Sequence, residues 1–142
     1  MTHDSTRTTT LTTESLIAAA KVIPEGTPFF MLNLLRYKER ADYGDRSDVA
    51  PGSGRDAYHQ GYVAWFLEIA ESEAVELTWF GGVLGGLVAP ADERWDELAI
   101  VRYQDFASFR RIVESARYEI EAAPHRRAAL EDWRLLATVK IG

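Results

Sequence analysis

Cysteine is absent from the sequence. That gap excludes disulfides, zinc–thiolate centres and cysteine nucleophiles, and it fits a reducing cytoplasm, where the chain is expected to reside. No stretch approaches the roughly 18 consecutive apolar residues that cross a bilayer, so no membrane partner is expected. The Thr-rich N-terminus lacks the apolar core of an export signal. Basic residues are in the minority, 16 Lys and Arg against 22 Asp and Glu, for a net charge of −6. A phosphate backbone needs a basic face, so nucleic acid is not expected as a partner. An anionic small molecule held by a few local arginines stays compatible with that balance. The three histidines, His3, His59 and His125, match no metal-ligand spacing, and no metal site is expected. Gly81-Gly82 and Gly85-Gly86 fit neither dinucleotide nor P-loop patterns, and no Gly-x-Ser-x-Gly elbow occurs. No cofactor is therefore expected, with haem left open because His59 or His125 can serve as an axial ligand.

What is present is ample apolar material: 46% hydrophobic residues, with four Trp, six Tyr and six Phe in 142 positions. That suits one domain with one core. Residues 1–11 offer little apolar surface and read as a disordered tail, leaving 12–142 as a single domain. Thr12 is placed to cap a helix running to Val22, and Pro24-Glu25-Gly26 ends it. Residues 28–37, apolar on both faces, read as a covered strand. The polar segment 38–54 is a long loop of the kind that forms lids or ligand rims. Ser53-Gly54-Arg55-Asp56 resembles a capping box, and Tyr58, Tyr62, Trp65, Phe66 and Ile69 form the buried stripe of the helix after it. A strand from about 75 to 83 contains a glycine pair, which predicts a bulge or close backbone approach. A further strand spans about 95–103. Asp105 caps a helix with stripe Phe106, Phe109, Val113 and Ala116. A helical piece holds Tyr118 and Ile120, Pro124 starts another turn, and a last strand covers about 132–141.

The order strand–helix–strand–strand–helix–strand predicts an α+β fold of the ferredoxin-like split βαβ type (βαββαβ), with an antiparallel sheet and an extra N-terminal helix. Right-handed crossovers put both helices on one sheet face. The other face is too apolar to stay bare, which predicts a homodimer. Three segments carry a family resemblance: Met31-Leu32-Asn33-Leu34-Leu35-Arg36-Tyr37-Lys38, Trp95 through Tyr103, and Ala123-Pro124-His125-Arg126 through Asp132. Over roughly residues 28–140 the chain resembles a family of unassigned function within the dimeric α+β barrel superfamily. The resemblance implies a dimer with a pocket between sheet and helices or in the inter-sheet barrel. Relatives in that superfamily include cofactor-free monooxygenases, isomerases, cyclases, haem enzymes and plain binding proteins, so chemistry stays open.

Asn33 is the first candidate site residue, because a buried strand has little reason to carry an amide unless something polar meets it. Alternation puts Phe29, Met31, Asn33 and Leu35 on one face and Phe30, Leu32 and Leu34 on the other. The uniformly apolar face is expected to take the helices, leaving Asn33 facing a cleft, where it can stabilise an oxyanion. His125 is the acid–base candidate and Arg126 the clamp for a carboxylate or oxyanion. Arg36 lies at the loop mouth, where it can attract an acidic substrate or pair with loop acids. Tyr58, Trp79, Trp95 and Tyr103 are candidate pocket aromatics, although such residues are more often core. Glu97 reads as a cleft carboxylate or an edge charge, and Arg134 as the partner of Asp132 on the cleft face or in solvent. Two functions follow. One is a cofactor-independent enzyme of cyclase, isomerase or monooxygenase type, acting on a polar carbonyl-bearing or aromatic metabolite. The other is a non-catalytic binding or accessory protein using the same small-molecule pocket.

Overall fold

A computed structural model describes residues 7–46, 48–49 and 52–142. Helix α1 (Thr13–Val22) begins at Thr12, whose side chain accepts from the Ser15 backbone while Ser15 answers to the Thr12 N–H. Strand β1 (Phe29–Tyr37) follows, then α2 (Gly54–Asp56), a wide π-helical turn π1 (Ala57–Tyr62) and α3 (Val63–Ile69) in one continuous rod. Strands β2 (Glu76–Gly82) and β3 (Glu97–Tyr103) come next. Helix α4 (Phe106–Val113), a second wide turn π2 (Tyr118–Ala122), α5 (Ala123–Ala129) and β4 (Leu130–Thr138) complete the chain. The α4 cap forms as its sequence dictates, Asp105 accepting from the Ser108 N–H at 2.8 Å. Its buried stripe is Phe106, Phe109 and Ile112; Ala116, expected on that stripe, is exposed, as is Ile120.

The fold is α+β. Four strands form one antiparallel sheet in the order β2-β3-β1-β4. The β2 bulge falls between Leu77 and Trp79 and not at the glycines. Gly81 instead leaves room for the Trp79 indole, which a Cβ there would meet at 2.7 Å.

Burial alternates strictly along β1, and this corrects the expected orientation. Phe29, Met31, Asn33, Leu35 and Tyr37 are buried, and they pack with Tyr58, Tyr62, Phe66, Phe109 and Tyr118 of the helical layer. The helices therefore cover the face that carries Asn33. Phe30, Leu32 and Leu34, expected beneath the helices, lie on the uncovered face beside Ile100 and Leu136. The large aromatic volume decides the matter: each fully buried ring or branched aliphatic contributes about 1.5–3 kcal/mol, more than enough to carry one bonded amide inside.

The N-terminal segment is also not loose where it is described. Thr8 donates its N–H to Asp132 Oδ1 at 3.0 Å and accepts from the Trp133 N–H at 2.9 Å. It lies against the edge strand β4, where it shields part of an otherwise open row of backbone groups. Residues 1–6 of the expected tail, His3 among them, fall outside the described residues. The 38–54 loop is stitched down at both ends. Lys38 donates to the Ala129 carbonyl at 2.8 Å, Asp42 to that of Ala128 at 2.9 Å, and Gly54 to that of Lys38 at 3.0 Å.

Candidate functional site

Between the sheet and the helices lies a pocket of about 60 Å³. Its walls are apolar, with Leu11 of the N-terminal segment, Phe66, Phe80 and Leu135 among them. Four phenols, Tyr58, Tyr62, Tyr103 and Tyr118, also line it, together with Asn33 and Trp133. The wide turns place two of the phenols. Tyr62 ends π1 and Tyr118 opens π2, and their hydroxyls meet at 2.9 Å. Tyr58 and Tyr62 sit one turn apart with ring centroids 5.0 Å from each other.

Hydrogen-bond accounting shows what these phenols can still do. Arg126 Nη1 donates to Tyr118 Oη at 3.0 Å. The Tyr62–Tyr118 bond uses one of the two hydroxyl hydrogens, whichever way it points. The other hydrogen has no partner among the described residues, and neither do the hydroxyls of Tyr58 and Tyr103. Burial pushes the pKa values of Tyr58, Tyr62 and Tyr103 well above the ordinary phenol value, so these groups stay protonated and act as donors. The pocket is thus an apolar hollow with up to three spare O–H donors.

Asn33 lines this pocket, but its amide is largely engaged. Its Oδ1 accepts from the Trp133 indole at 3.1 Å, and its Nδ2 makes long contacts of 3.4 and 3.5 Å to the carbonyls of Ala99 and Met31. Its evident work is to set the Trp133 ring. Above that ring, 4.9 Å from its centroid, lies the Arg126 guanidinium. Burial alone would pull the Arg126 pKa down; the surrounding phenols and the Tyr118 bond more than offset this and keep it charged.

His125 is elsewhere. Its Nδ1 bonds Tyr43 Oη at 2.6 Å, and its ring covers Gly61, where a Cβ would come within 2.6 Å of Nδ1. Burial holds the imidazole below its ordinary value. It does not line the pocket, so the structure does not bring Asn33 and His125 together.

The other expected aromatics divide. Tyr58 and Tyr103 face the pocket; Trp79 is 61% exposed on the uncovered sheet face. Trp95 packs under Arg134, whose guanidinium is 5.1 Å from the ring centroid, and its Nε1 donates to Glu93 at 3.0 Å. Arg134 pairs with Asp132 at 2.6 Å. These residues and Arg36 line a separate polar cleft of about 520 Å³. Arg36 also reaches Glu131 at 3.3 Å, while its buried Nε has no partner among the described residues.

Glu97 anchors a cluster that sequence reasoning did not assemble. Its Oε1 accepts from Tyr37 Oη at 2.5 Å and from His59 Nε2 at 2.7 Å, and Oε2 accepts from Arg55 Nε at 2.9 Å. Burial would raise this carboxyl, but the bonds from Tyr37, His59 and Arg55 outweigh it and hold it below its ordinary value. The carboxylate fixes a proton on His59 Nε2. The ring is stacked on Phe80, a pocket wall, at 4.9 Å and 15°. The one signal for Tyr62, Tyr118 and His59 was their place on helical segments next to other aromatics, which reads equally as core. Among the described residues no group of three or more His, Asp and Glu is arranged to hold a metal.

No known protein-family model matches the chain, and no curated protein does. Solved structures do. A crystal structure of methylated RPA0582 protein superposes with a TM-score of 0.84 at 31% identity, covering 96% of this chain and 97% of that one. A second crystal structure, of the RPA0582 protein of unknown function from Rhodopseudomonas palustris, gives a TM-score of 0.81 at 31% identity, covering 94% of this chain and 96% of its own.

Proposed function

This chain belongs to the same family as the RPA0582 protein of Rhodopseudomonas palustris, and we propose that it binds a small, largely apolar, oxygen-bearing metabolite between its sheet and its helices. The carrying observation is the pocket whose apolar walls hold phenol hydrogens with no partner among the described residues. Donors fixed in an apolar pocket polarise a carbonyl and stabilise charge that develops on its oxygen. That is the need of a cofactor-independent isomerase, cyclase or monooxygenase working through an enolate or phenolate. Asn33 acts here by orienting Trp133, and Arg126 by polarising Tyr118. The second reading, a binding protein without turnover, is favoured by the position of His125: the expected acid–base residue is bonded to Tyr43, away from the pocket.

Titration with butanone, followed through the Trp133 indole N–H in NMR spectra, tests the proposal. The ketone should shift that signal. The Tyr62→Phe/Tyr118→Phe double variant should weaken binding about five- to tenfold, the cost of a lost neutral hydrogen bond. Absence of any shift at saturating ketone would refute the pocket reading.

The finer architectural reading is proposed with it. The antiparallel order, with helices on one face, supports a ferredoxin-like unit. Phe30, Leu32, Leu34, Ile100, Leu136 and Trp79 support closure of the bare face against a second copy, as in a dimeric α+β barrel. A two-fold interface sets the same apolar patch against itself, which this face permits.

A further inference from the structure

Arg126 sits in the core with 6% of its surface exposed, and no carboxylate pairs with it among the described residues. The other buried charges of this protein do have partners. Glu97 is met by Arg55 and His59, and Asp132 by Arg134. Charges buried in proteins are paired as a rule, because an uncompensated ion loses its hydration without recompense. Arg126 has only a phenol oxygen, two aromatic faces and an orphaned Nε among the described residues. The Trp133 and Tyr118 rings recover part of the loss, since a guanidinium is attracted to a π-face. They do not neutralise its charge.

Both rings against Arg126 are also walls of the pocket, and the phenol it polarises is one half of the pair with the spare hydrogen. We infer that the ligand of this pocket is an oxyanion on a small apolar body, a carboxylate, enolate or phenolate, whose charge completes the Arg126–Tyr118–Tyr62 chain. The inference rests on the pocket reading above and adds the sign of the ligand's charge. The guanidinium donates to Tyr118 Oη. The spare O–H of the tyrosine pair then donates to the ligand oxygen, and Tyr58 and Tyr103 supply further donors to the same hollow. A neutral amide of equal shape offers the phenols a similar acceptor but leaves the cation uncompensated.

The test compares propionate with propionamide at neutral pH, where the acid is ionised, by calorimetry and by the Trp133 indole signal. Wild-type protein should bind propionate at least about tenfold tighter than the amide, the scale of a through-space charge interaction at intermediate dielectric. Arg126→Met should bind both ligands alike. Tyr118→Phe, which keeps the cation and removes the relay oxygen, should lose most of the preference, and it decides the matter if Arg126→Met does not fold. Equal or tighter binding of propionamide by the wild type overturns the inference and leaves the pocket standing. A preference for propionate that survives in both variants also overturns it. Binding of neither ligand removes the pocket reading itself, and this inference with it.

Discussion

Replacement of Gly54 by alanine should cost this small domain a large share of its stability. An added Cβ would lie 2.3 Å from the Lys38 carbonyl oxygen, 2.6 Å from that of Ala129 and 2.9 Å from the Lys38 nitrogen. Ordinary contact begins near 3.4 Å, so about 1.1 Å of movement is required. None of the three atoms belongs to a side chain that can rotate away. All three are already committed: Gly54 donates to the Lys38 carbonyl, and the Lys38 N–H to that of Ala129. Overpacking of this kind costs about 1–3 kcal/mol, and loss of these two bonds about 1 kcal/mol each. The alanine's better helix propensity returns up to about 1 kcal/mol. The net is a loss of about 2–4 kcal/mol, or a fall in Tm of about 6–12 °C at about 3 °C per kcal/mol for a chain of this size. Urea and thermal unfolding followed by tryptophan fluorescence give the number. Gly52→Ala is the control, because nothing lies within 4 Å of a Cβ there, and it should fall within about 0.5 kcal/mol of wild type. A Gly54→Ala protein as stable as that control would refute the close approach. The variant also bears on function, since π1 begins three residues later and carries Tyr58 and Tyr62.

Two further outcomes are expected. The Glu97 carboxyl is held below its ordinary value, so its contribution is full above the unfolded carboxylate range near about 4.3 and is lost as pH falls through the folded value. Glu97→Gln should therefore be less stable than wild type by about 1–2 kcal/mol at neutral pH, with the gap closing in acid; unfolding curves at pH 7 and pH 3 check this, and a gap independent of pH would contradict the Tyr37–His59–Arg55 cluster. Leu32→Asp places a charge in the middle of the uncovered sheet face: the wild type should sediment as a dimer and the variant as a monomer, and a monomeric wild type would remove the barrel half of the architectural proposal.

The element order was legible because its signals are local. Thr12, Ser53 and Asp105 mark helix starts through their own side chains, and all three do accept the backbone bonds expected of them. Which face of β1 goes inward was not legible. Both faces are apolar, and Asn33 reads as an outward residue until Trp133, 100 positions away, is known to donate to it. The pocket was half visible: Asn33, Tyr58 and Tyr103 were singled out, while Tyr62 and Tyr118 looked like ordinary core. Their role comes from a hydroxyl pairing 56 positions apart, which no spacing rule encodes. His125 misled because an imidazole beside Arg126 is the natural acid–base candidate, yet adjacent helical positions point about 100° apart. When Arg126 turns inward, its neighbour is swung toward Tyr43.

The buried positions Tyr58, Tyr62, Phe66 and Ala70 recur every four residues. Four steps along a regular α-helix overshoot a full turn by about 40°, so three repeats drift by about 120°. The wide turn at Ala57–Tyr62 takes up part of that drift. Excising any one residue between its tyrosines would hand the rod back its regular pitch. The tyrosine pair would then lose the four-residue spacing that sets Tyr58 against Tyr62. The length of this segment and the presence of its tyrosines are thus a single trait: a shortened version keeps the letters of the sequence but loses the hollow they surround.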